Sequence, residues 1–252
     1  MTTRRAAQSM FLLGSALAAL VVPVSAQTAF PPLATPDALA CAPRLAPSES
    51  TPVGVVLGAP DVPLRELFAQ GDAVLLNVGR ADGVSVGAQF FTRRSEAPVD
   101  PAWRARGIRV LRTSGWLRAV EVDEHAALAV VERTCTEVRR GDQLAPLQWP
   151  AAVSMGPAGT VGYDDPATVL FGGGGRTMLG PGQFLVIDQG ADRQIVPGQR
   201  LTIFRASPRG PQDPVTQLGE GVAMLVAATS ATVQVIRTRE PILIGDLVAA
   251  HR

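Results

Sequence analysis

The chain has 252 residues, with 23 basic and 22 acidic side chains and a formal net charge of +1. This near-neutral balance argues against a nucleic-acid-binding protein, which normally carries a clear basic excess. Every basic side chain is Arg, and the absence of Lys excludes a phosphate-binding P-loop, a Schiff-base lysine and a Ser-Lys dyad.

Residues 1–26 have the features of a cleaved signal peptide. Arg4 and Arg5 form a positive n-region, an apolar stretch covers residues 10–24, and small residues precede the cleavage predicted after Ala26. An uncleaved anchor is the alternative, although a stretch this short, interrupted by Gly and Pro, makes a poor membrane-spanning helix. The sequence therefore predicts a periplasmic or secreted protein that does not span the membrane after cleavage.

Residues 27–52 contain six prolines and are predicted to form an extended arm or linker rather than a packed element. This arm holds Cys41, and the second of the two cysteines is Cys135. In an exported protein an even count favours one disulfide, which would tie the arm to the end of the first repeat. Two other states stay open, namely lipidation of Cys41 at a weakly lipobox-like sequence and two free thiols.

Two passages in different halves of the chain share one pattern of glycines. Each passage, Ala73–Arg94 or Gln183–Arg205, runs from an apolar strand to a Gly, a short polar turn, a second Gly and another strand. Each repeat then closes on a Gly-Asp pair. Such repetition indicates a duplicated small domain. We assign repeat 1 to residues 53–148, a linker to 149–158 and repeat 2 to 159–252.

The composition predicts an all-β fold. Gly and Pro separate short apolar runs, and aromatic residues are few, so Val, Leu and Ile must fill the cores. Each repeat supplies five or six short strands, and closing them into a small barrel leaves fewer exposed edges. We therefore predict two tandem, duplicated small β-barrel-like domains after a signal peptide and a Pro-rich arm.

The turn residues of the two repeats have a physical rationale. Pro197 and Gly198 suit a type II turn, because Pro fixes φ at the first central position and Gly takes the positive φ of the second. Each Gly-Asp pair places a carboxylate, Asp142 or Asp246, where it can accept a local backbone N–H. The predicted structural turn positions are Gly79, Gly83, Gly87, Gly141, Asp142, Gly190, Pro197, Gly198, Gly245 and Asp246.

The segment Leu76–Thr92, with its Val-Gly, Asp-Gly-Val, Val-Gly and a following aromatic residue, resembles a recurrent unit of exported bacterial envelope proteins. It is similar to the C-terminal β-domain of flagellar H-ring assembly proteins of the FlgT type, and to modules attached to peptidoglycan-holding LysM domains. The pattern covers most of Val53–Pro146 and, more loosely, Thr160–Ala250, where Gln194 replaces Gly83. The resemblance implies a small β-barrel in an envelope protein and transfers no ligand site.

An Arg-rich segment of repeat 1 is the candidate interaction surface. The segment contains no acidic residue, so it suits an anionic partner such as lipopolysaccharide, an acidic peptide or a neighbouring subunit. The alternative is a solvated face whose arginines pair with Glu121, Asp123 and Glu124. The predicted surface consists of Trp103, Arg104, Arg106, Arg109, Arg112, Trp116 and Arg118.

Three further motifs are interpreted as structural. The glycine run 172–175 before Arg176 lacks a lysine and a following helix, so we predict a flexible loop rather than an anion cradle. His125 follows two acidic residues at a hairpin tip, where adjacent side chains rarely converge on one ion. Asp164 and Asp165 mark a turn. The sequence thus predicts no metal and no cofactor.

Three functions are compatible with these features. The first is a non-enzymatic periplasmic scaffold or protein-interaction module of the cell envelope, with an envelope protein as its partner. The second is a module that binds cell-wall glycan or anionic lipid through Trp103, Trp116 and the nearby arginines. The third is an enzyme, which would need convergent polar residues between the repeats.

Overall fold

The computed structural model describes residues 33–46, 51–207 and 215–252. The predicted signal peptide, residues 1–26, lies outside these ranges. The described residues belong to one compact unit. They are almost entirely β-structure, and the two α-helices among them are short: α1 (Pro36–Cys41) and α2 (Pro101–Ala105).

Six strands of the first repeat close into an antiparallel barrel. They are β2 (Gly54–Gly58), β4 (Ala73–Leu76), β5 (Gln89–Glu96), β6 (Val110–Val122), β7 (Ala127–Thr134) and β9 (Gln143–Pro146). The order around this barrel, barrel 1, is β2-β4-β7-β6-β5-β9. A two-residue strand of the arm, β1 (Arg44–Leu45), pairs with β6. The short strands β3 (Leu67–Phe68) and β8 (Val138–Arg139) pair separately.

The second repeat forms the same barrel, strand for strand. Its strands are β10 (Ala167–Gly172), β12 (Phe184–Ile187), β13 (Arg200–Arg205), β14 (Thr216–Val226), β15 (Ala231–Thr238) and β17 (Leu247–Ala250). The order around barrel 2 is β10-β12-β15-β14-β13-β17. The pair β11 (Met178–Leu179) and β16 (Ile242–Leu243) corresponds to β3 and β8. The predicted fold, two tandem duplicated small β-barrels, is therefore confirmed.

Aliphatic side chains fill both barrels, because inward positions alternate with outward ones along each strand. The interior of barrel 1 includes Val56, Val74, Leu76, Leu117 and Leu144. The interior of barrel 2 includes Val169, Leu185, Ile187, Leu201 and Val233. Val, Leu and Ile thus fill the barrel interiors in place of aromatic residues. Several of the aromatic side chains lie outside the barrels.

The turns of the two barrels use the same chemistry. Asp142 Oδ2 accepts a hydrogen bond from the Arg139 N–H at 2.9 Å, and Asp246 Oδ2 accepts one from the Leu243 N–H at 2.7 Å. These are the local bonds that the Gly-Asp pattern predicts. Gly198 has φ of +87° in a turn closed by the Gln199 N–H. Repetition of the turn chemistry therefore accompanies repetition of the barrel.

The arm differs from the extended chain that its prolines predict. Thr35 caps α1, because its Oγ1 accepts a hydrogen bond from the Ala38 N–H at 3.2 Å, and Pro36 occupies the first turn, where no N–H is needed. Leu39 and Ala40 of this helix are fully buried. The prediction that residues 27–52 form no packed element is thus corrected for residues 33–46.

Candidate functional site

Helix α1 lies at the joint between the two barrels. Leu39 packs with Val222 and Met224 on the outer face of barrel 2. The next residue, Ala40, packs with Phe91 and Trp116 on the outer face of barrel 1. One short helix thereby covers apolar surface of both barrels and removes that surface from water.

Covalent and polar bonds hold the arm in this position. Cys41 and Cys135 form a disulfide with a Cα–Cα distance of 5.4 Å, so the even cysteine count corresponds to one bridge. Asp37 pairs with an arginine of β7 at 2.7 Å. On the other side, the buried Thr232 hydroxyl of barrel 2 donates a hydrogen bond to the Pro43 carbonyl at 2.7 Å. The arm is therefore bonded to both barrels.

Trp116 belongs to an aromatic cluster under the arm. Its ring meets that of Trp149 edge-on at 5.0 Å and that of Phe91 at 6.1 Å, and the Arg133 guanidinium lies 5.9 Å from its centroid. Such edge-to-face pairs add stability beyond the area that they bury. Trp116 is buried and makes no exposed surface. Its predicted role in an interaction surface with Trp103 is therefore wrong.

Trp103 lies in a different cluster, where the barrels meet directly. Trp103 and Ile108, which lie in α2 and in the segment after it, pack with Val110 at the start of β6. The same cluster contains Leu170, Phe171 and Val186 from the outer face of barrel 2 and Leu45 from the arm. The connection between β5 and β6 is thus a contact element between the barrels.

Three arginines of this connection have only neutral partners. Arg104 donates to the Val99 carbonyl at 3.2 Å, and Arg109 donates to the Ser95 hydroxyl at 2.9 Å and to the Ser95 carbonyl at 2.7 Å. The Arg106 guanidinium lies 4.7 Å from the centroid of the Trp103 ring. All three side chains are exposed, and none forms an ion pair with another described residue. Their charge remains available to an anionic partner.

The other two arginines of the predicted surface are neutralised. Arg112 pairs with Glu96 at 2.6 Å, and Arg118 donates to Glu132 at 2.6 Å. These partners lie on neighbouring strands and not at the acidic hairpin tip that the sequence suggests. The predicted surface therefore reduces to its Arg104–Arg109 part, called here the arginine connection.

A cleft of about 360 Å³ opens between the arm and the two barrels. Arg112, the disulfide of Cys41, and Phe184 contribute to its wall, together with Gly173 and Arg176 of the glycine run. A β-carbon on Gly175 would lie 3.7 Å from Arg112 Nη2 and 3.6 Å from a methyl group of Val99. The glycine run, interpreted from sequence as a flexible loop, therefore lies against barrel 1 at the joint.

One ion pair recurs at the same place in each barrel. In barrel 1, Arg94 Nε lies 2.9 Å from Asp142 Oδ1, and the Ser114 hydroxyl donates to Asp142 Oδ2 at 2.6 Å. In barrel 2, Arg205 donates to both Asp246 oxygens, at 2.7 and 2.8 Å. Both carboxylates are buried and accept hydrogen bonds from structural donors. Sequence reasoning identified the aspartates as turn residues but missed their arginine partners.

Arg44 and Arg93 bring two positive charges near each other beside the joint. Burial, and to a lesser extent the charge of Arg93, together lower the pKa of Arg44 to about 10. Burial also lowers the pKa of Arg93. Arg44 lines a small cavity against barrel 2 that includes Ser230 and Thr232. The two guanidiniums thus place positive charge in partly buried surroundings beside the joint.

The two histidines lie in different surroundings. His125 is exposed at the hairpin between β6 and β7. His251 Nε2 lies 2.8 Å from the Thr202 hydroxyl, and burial lowers the pKa of His251. Within the ranges that the structure describes, no three His, Cys, Asp or Glu side chains group where they could hold a metal ion.

Comparison with protein-family models and with curated proteins finds no match to this chain. Among the described residues, no helix has the length and apolar character needed to cross a bilayer.

Proposed function

We propose that this protein is a non-enzymatic scaffold or protein-interaction module of the bacterial cell envelope, acting in the periplasm. The observation that carries the proposal is the position of α1, with Leu39 buried against barrel 2 and Ala40 against barrel 1. Domains joined by a free linker move relative to each other by default. A packed and bonded arm instead holds two binding surfaces at a constant separation, which is what a scaffold requires.

The disulfide between Cys41 and Cys135 supports the proposed compartment. Structural disulfides form and persist in oxidising surroundings such as the periplasm and are rare in the cytosol. The proposed cleavage after Ala26 agrees with that location and lies outside the described residues.

The structural hydrogen bonds of the two buried aspartates support a non-enzymatic role. Catalytic acids and bases need a free proton-exchanging atom within reach of a substrate. Asp142 and Asp246 instead direct their oxygens at arginine and backbone donors, as shown by Arg94 and Arg205. The cleft at the joint has Arg112 in its wall, which is already paired with Glu96.

The arginine connection is the surface on which we place the partner. Arg104, Arg106 and Arg109 project from one connection with neutral partners only, so an acidic surface of another envelope protein would gain electrostatic complementarity there. Because the connection also contacts barrel 2, its backbone is supported by both barrels.

Crosslinking in intact cells tests this function. The full chain is crosslinked with acid-directed and photoreactive reagents, since it has no lysine. We expect reproducible links to one envelope protein, reduced about tenfold when Arg104, Arg106 and Arg109 are all changed to Ala. Arg118→Ala is the matched control, because Arg118 is already paired with Glu132. Failure to recover any stable partner would overturn the proposal.

Binding of peptidoglycan or anionic lipid is the second candidate, favoured by the same unpaired arginines. Trp116 does not contribute to it, since that side chain is buried under the arm. The test is sedimentation of the purified chain with sacculi or with vesicles of anionic lipid. Arg104→Ala with Arg106→Ala should abolish sedimentation if this candidate is correct, and unchanged sedimentation would remove it.

A further inference from the structure

Arg44 and Arg93 differ from the other half-buried arginines in having no acidic partner. Neither forms an ion pair with a carboxylate among the described residues. Arg93 has a neutral contact instead, since its guanidinium lies 5.2 Å from the centroid of the Phe91 ring. Every other half-buried arginine that the structure describes forms an ion pair with a carboxylate, namely Arg65, Arg94, Arg112, Arg200 and Arg205.

Two uncompensated charges beside each other are unfavourable in the folded chain. Burial lowers the pKa of both guanidiniums, and the charge of Arg93 also lowers the pKa of Arg44. The two charges are therefore close enough to repel each other, and neither is fully hydrated. Because a buried charge is costly unless it is paired, an anionic group beside the two arginines would remove both penalties.

Strand pairing brings the two arginines to one face of barrel 1. Arg44 of β1 lies opposite Leu111 of β6. Arg93 of β5 lies opposite Thr113, two residues further along β6. Side chains two residues apart on a strand project from the same face of the sheet, and so do those of their partners. That face is the outer one, since Phe91, two residues before Arg93, packs there against the arm.

A hollow of about 110 Å³ adjoins Arg93 on this face. Gln143 of β9, which lies opposite Arg93, and Thr51 are two further polar residues of its wall. Leu111 also contributes to the wall and so connects the hollow with the position of Arg44. No acidic residue in the described part of the chain lines the hollow. Its wall therefore combines a guanidinium, an amide and a hydroxyl, which can all donate hydrogen bonds.

The second barrel has a different residue at the position of Arg93. Arg94 corresponds to Arg205, because each binds the aspartate of its Gly-Asp pair. The residue before it is Arg93 in barrel 1 and Phe204 in barrel 2. Each of these two residues follows the same irregularity in strand pairing.

The residue opposite this position also differs between the barrels. It is Gln143 in barrel 1 and Leu247 in barrel 2. Phe204 is buried and meets the ring of Tyr163 edge-on at 5.0 Å. An apolar pair thus takes the place of Arg93 and Gln143 in barrel 2, so the barrel fold itself does not require polar residues there.

We propose that the hollow beside Arg93 binds a phosphate group, to which Arg93 and Gln143 donate hydrogen bonds while Arg44 supplies a second positive charge. Guanidinium groups match the geometry of phosphate oxygens, and two positive charges suit a dianion. Inorganic phosphate and a phosphate monoester share this chemistry, so the phosphate belongs either to a small solute or to a lipid headgroup. The site is separate from the arginine connection and does not depend on the scaffold function.

Calorimetric titration of the purified chain with inorganic phosphate tests the proposal, with sodium chloride of equal ionic strength as the blank. We expect saturable binding of one phosphate per chain, weakened about tenfold by Arg93→Gln. Arg118→Gln is the matched control, because Arg118 is already paired with Glu132, and it should change the affinity less than twofold. Equal effects of the two variants, or no binding beyond the chloride blank, would overturn the proposal.

Thermal unfolding separates a ligand site from a merely structural arginine. Phosphate that binds only the folded chain raises its melting temperature. We expect this rise in the parent and in Arg118→Gln, and its loss in Arg93→Gln. In phosphate-free buffer Arg93→Gln should melt no lower than the parent, because it removes a partly buried, unpaired charge. A variant that melts lower without phosphate and keeps the phosphate-dependent rise would overturn the proposal.

An acidic residue of the chain itself is the competing counter-charge. Glu49 is the acidic residue nearest to Arg44 in the sequence, and it lies outside the described residues. We expect Glu49→Gln to leave the phosphate affinity within twofold of that of the parent. Phosphate binding that becomes tenfold tighter in Glu49→Gln would identify Glu49 as the counter-charge and overturn the proposal.

Sedimentation with vesicles that contain phosphatidic acid distinguishes the two sources of phosphate. Sedimentation that Arg93→Gln abolishes would assign the site to a lipid headgroup. Saturable binding of free phosphate without sedimentation would assign it to a small solute. Sedimentation that persists in Arg93→Gln, together with no binding of free phosphate, would overturn the proposal.

Discussion

Leu39 and Ala40 are neighbours in helix α1, yet their side chains are buried against different barrels. Neighbouring residues of a helix point in directions about 100° apart, so one short helix can present apolar side chains to two surfaces at once. The arm thereby acts as a wedge in the joint. Its removal should affect both barrels and not only their connection.

Shortening the Leu39 side chain of the arm should destabilise the protein. Leu39→Ala removes a fully buried side chain and leaves a cavity against Val222 and Met224, so we expect a loss of about 2–5 kcal/mol in the free energy of unfolding. Urea unfolding followed by circular dichroism measures it. Leu64→Ala is the control at an exposed site and should change the value by less than about 0.5 kcal/mol. Equal effects of the two variants would contradict the wedge.

Loss of the disulfide should also lower stability. The bridge closes a loop of 94 residues, for which the chain-entropy model gives about 4–5 kcal/mol. Cys41→Ser with Cys135→Ser should therefore unfold at markedly lower urea concentration. Adding a thiol reductant should destabilise the parent and leave the double variant unchanged. If the reductant leaves the unfolding of the parent protein unchanged, the disulfide does not make this contribution to stability.

The repeated ion pair gives a comparison within one molecule. Asp142→Asn removes the nearest counter-charge of the buried Arg94 guanidinium, whose two remaining carboxylate partners lie 3.8 and 3.9 Å away, and we expect a loss of about 1.5–3 kcal/mol. Asp246→Asn should cost less, because the Arg205 side chain is 40% exposed against 13% for Arg94 and can reach water. Chemical denaturation of both variants measures which substitution lowers the free energy of unfolding more. A larger loss of stability from Asp246→Asn than from Asp142→Asn would show that burial of the arginine does not set the size of the effect.

Gly83 and Gln194 occupy the same left-handed position in the two barrels, with φ of +80° and +61°. An L-residue with a side chain pays about 1–2 kcal/mol for this conformation, whereas Gly loses about 0.5–1 kcal/mol of chain entropy. We expect Gln194→Gly to raise the melting temperature and Gly83→Gln to lower it. Calorimetry of the two reciprocal variants measures the effect, and shifts of the same sign would contradict it.

His251 should make stability depend on pH. Burial lowers its pKa below the unfolded value, so the folded state disfavours the proton. The stabilisation is present above the unfolded pKa, near 6.5, and is lost as the pH falls through the folded pKa. His251→Gln should flatten the stability profile just below pH 6.5. A stability profile of His251→Gln that falls as steeply below pH 6.5 as that of the parent would contradict the assignment.

Each repeat could be predicted as a small β-barrel because its signals are local. Alternating apolar residues set which side chains enter the interior, and Gly-containing turns such as that at Gly198 set where the chain reverses. The Gly-Asp pairs were also readable, since Asp142 bonds to an amide only three residues away. The same pattern occurs twice, which strengthened the prediction.

The candidate interaction surface could be predicted only in part. Arg104, Arg106 and Arg109 share one connection and remain unpaired among the described residues, as their acid-free sequence suggests. Trp116 does not join them. Its side chain projects outward from β6 and packs against Ala40 of the arm, a contact that no residue close to Trp116 in the sequence could have predicted.

By itself, the sequence determined the β-class, the duplication, the turn chemistry and the cysteine pair available for a bridge, because these depend on residues close together in the chain or on repetition. Only the tertiary structure showed that Leu39 and Ala40 are buried between the barrels and that Arg94 pairs with Asp142. It also showed that Leu57 is exposed whereas its counterpart Leu170 is covered. Each of these depends on contacts between residues far apart in sequence, whose energies are set by burial and register. Leu57 and Leu170 lie at the same bulge of the two barrels, so their different exposure follows from what packs against each barrel and not from strand register.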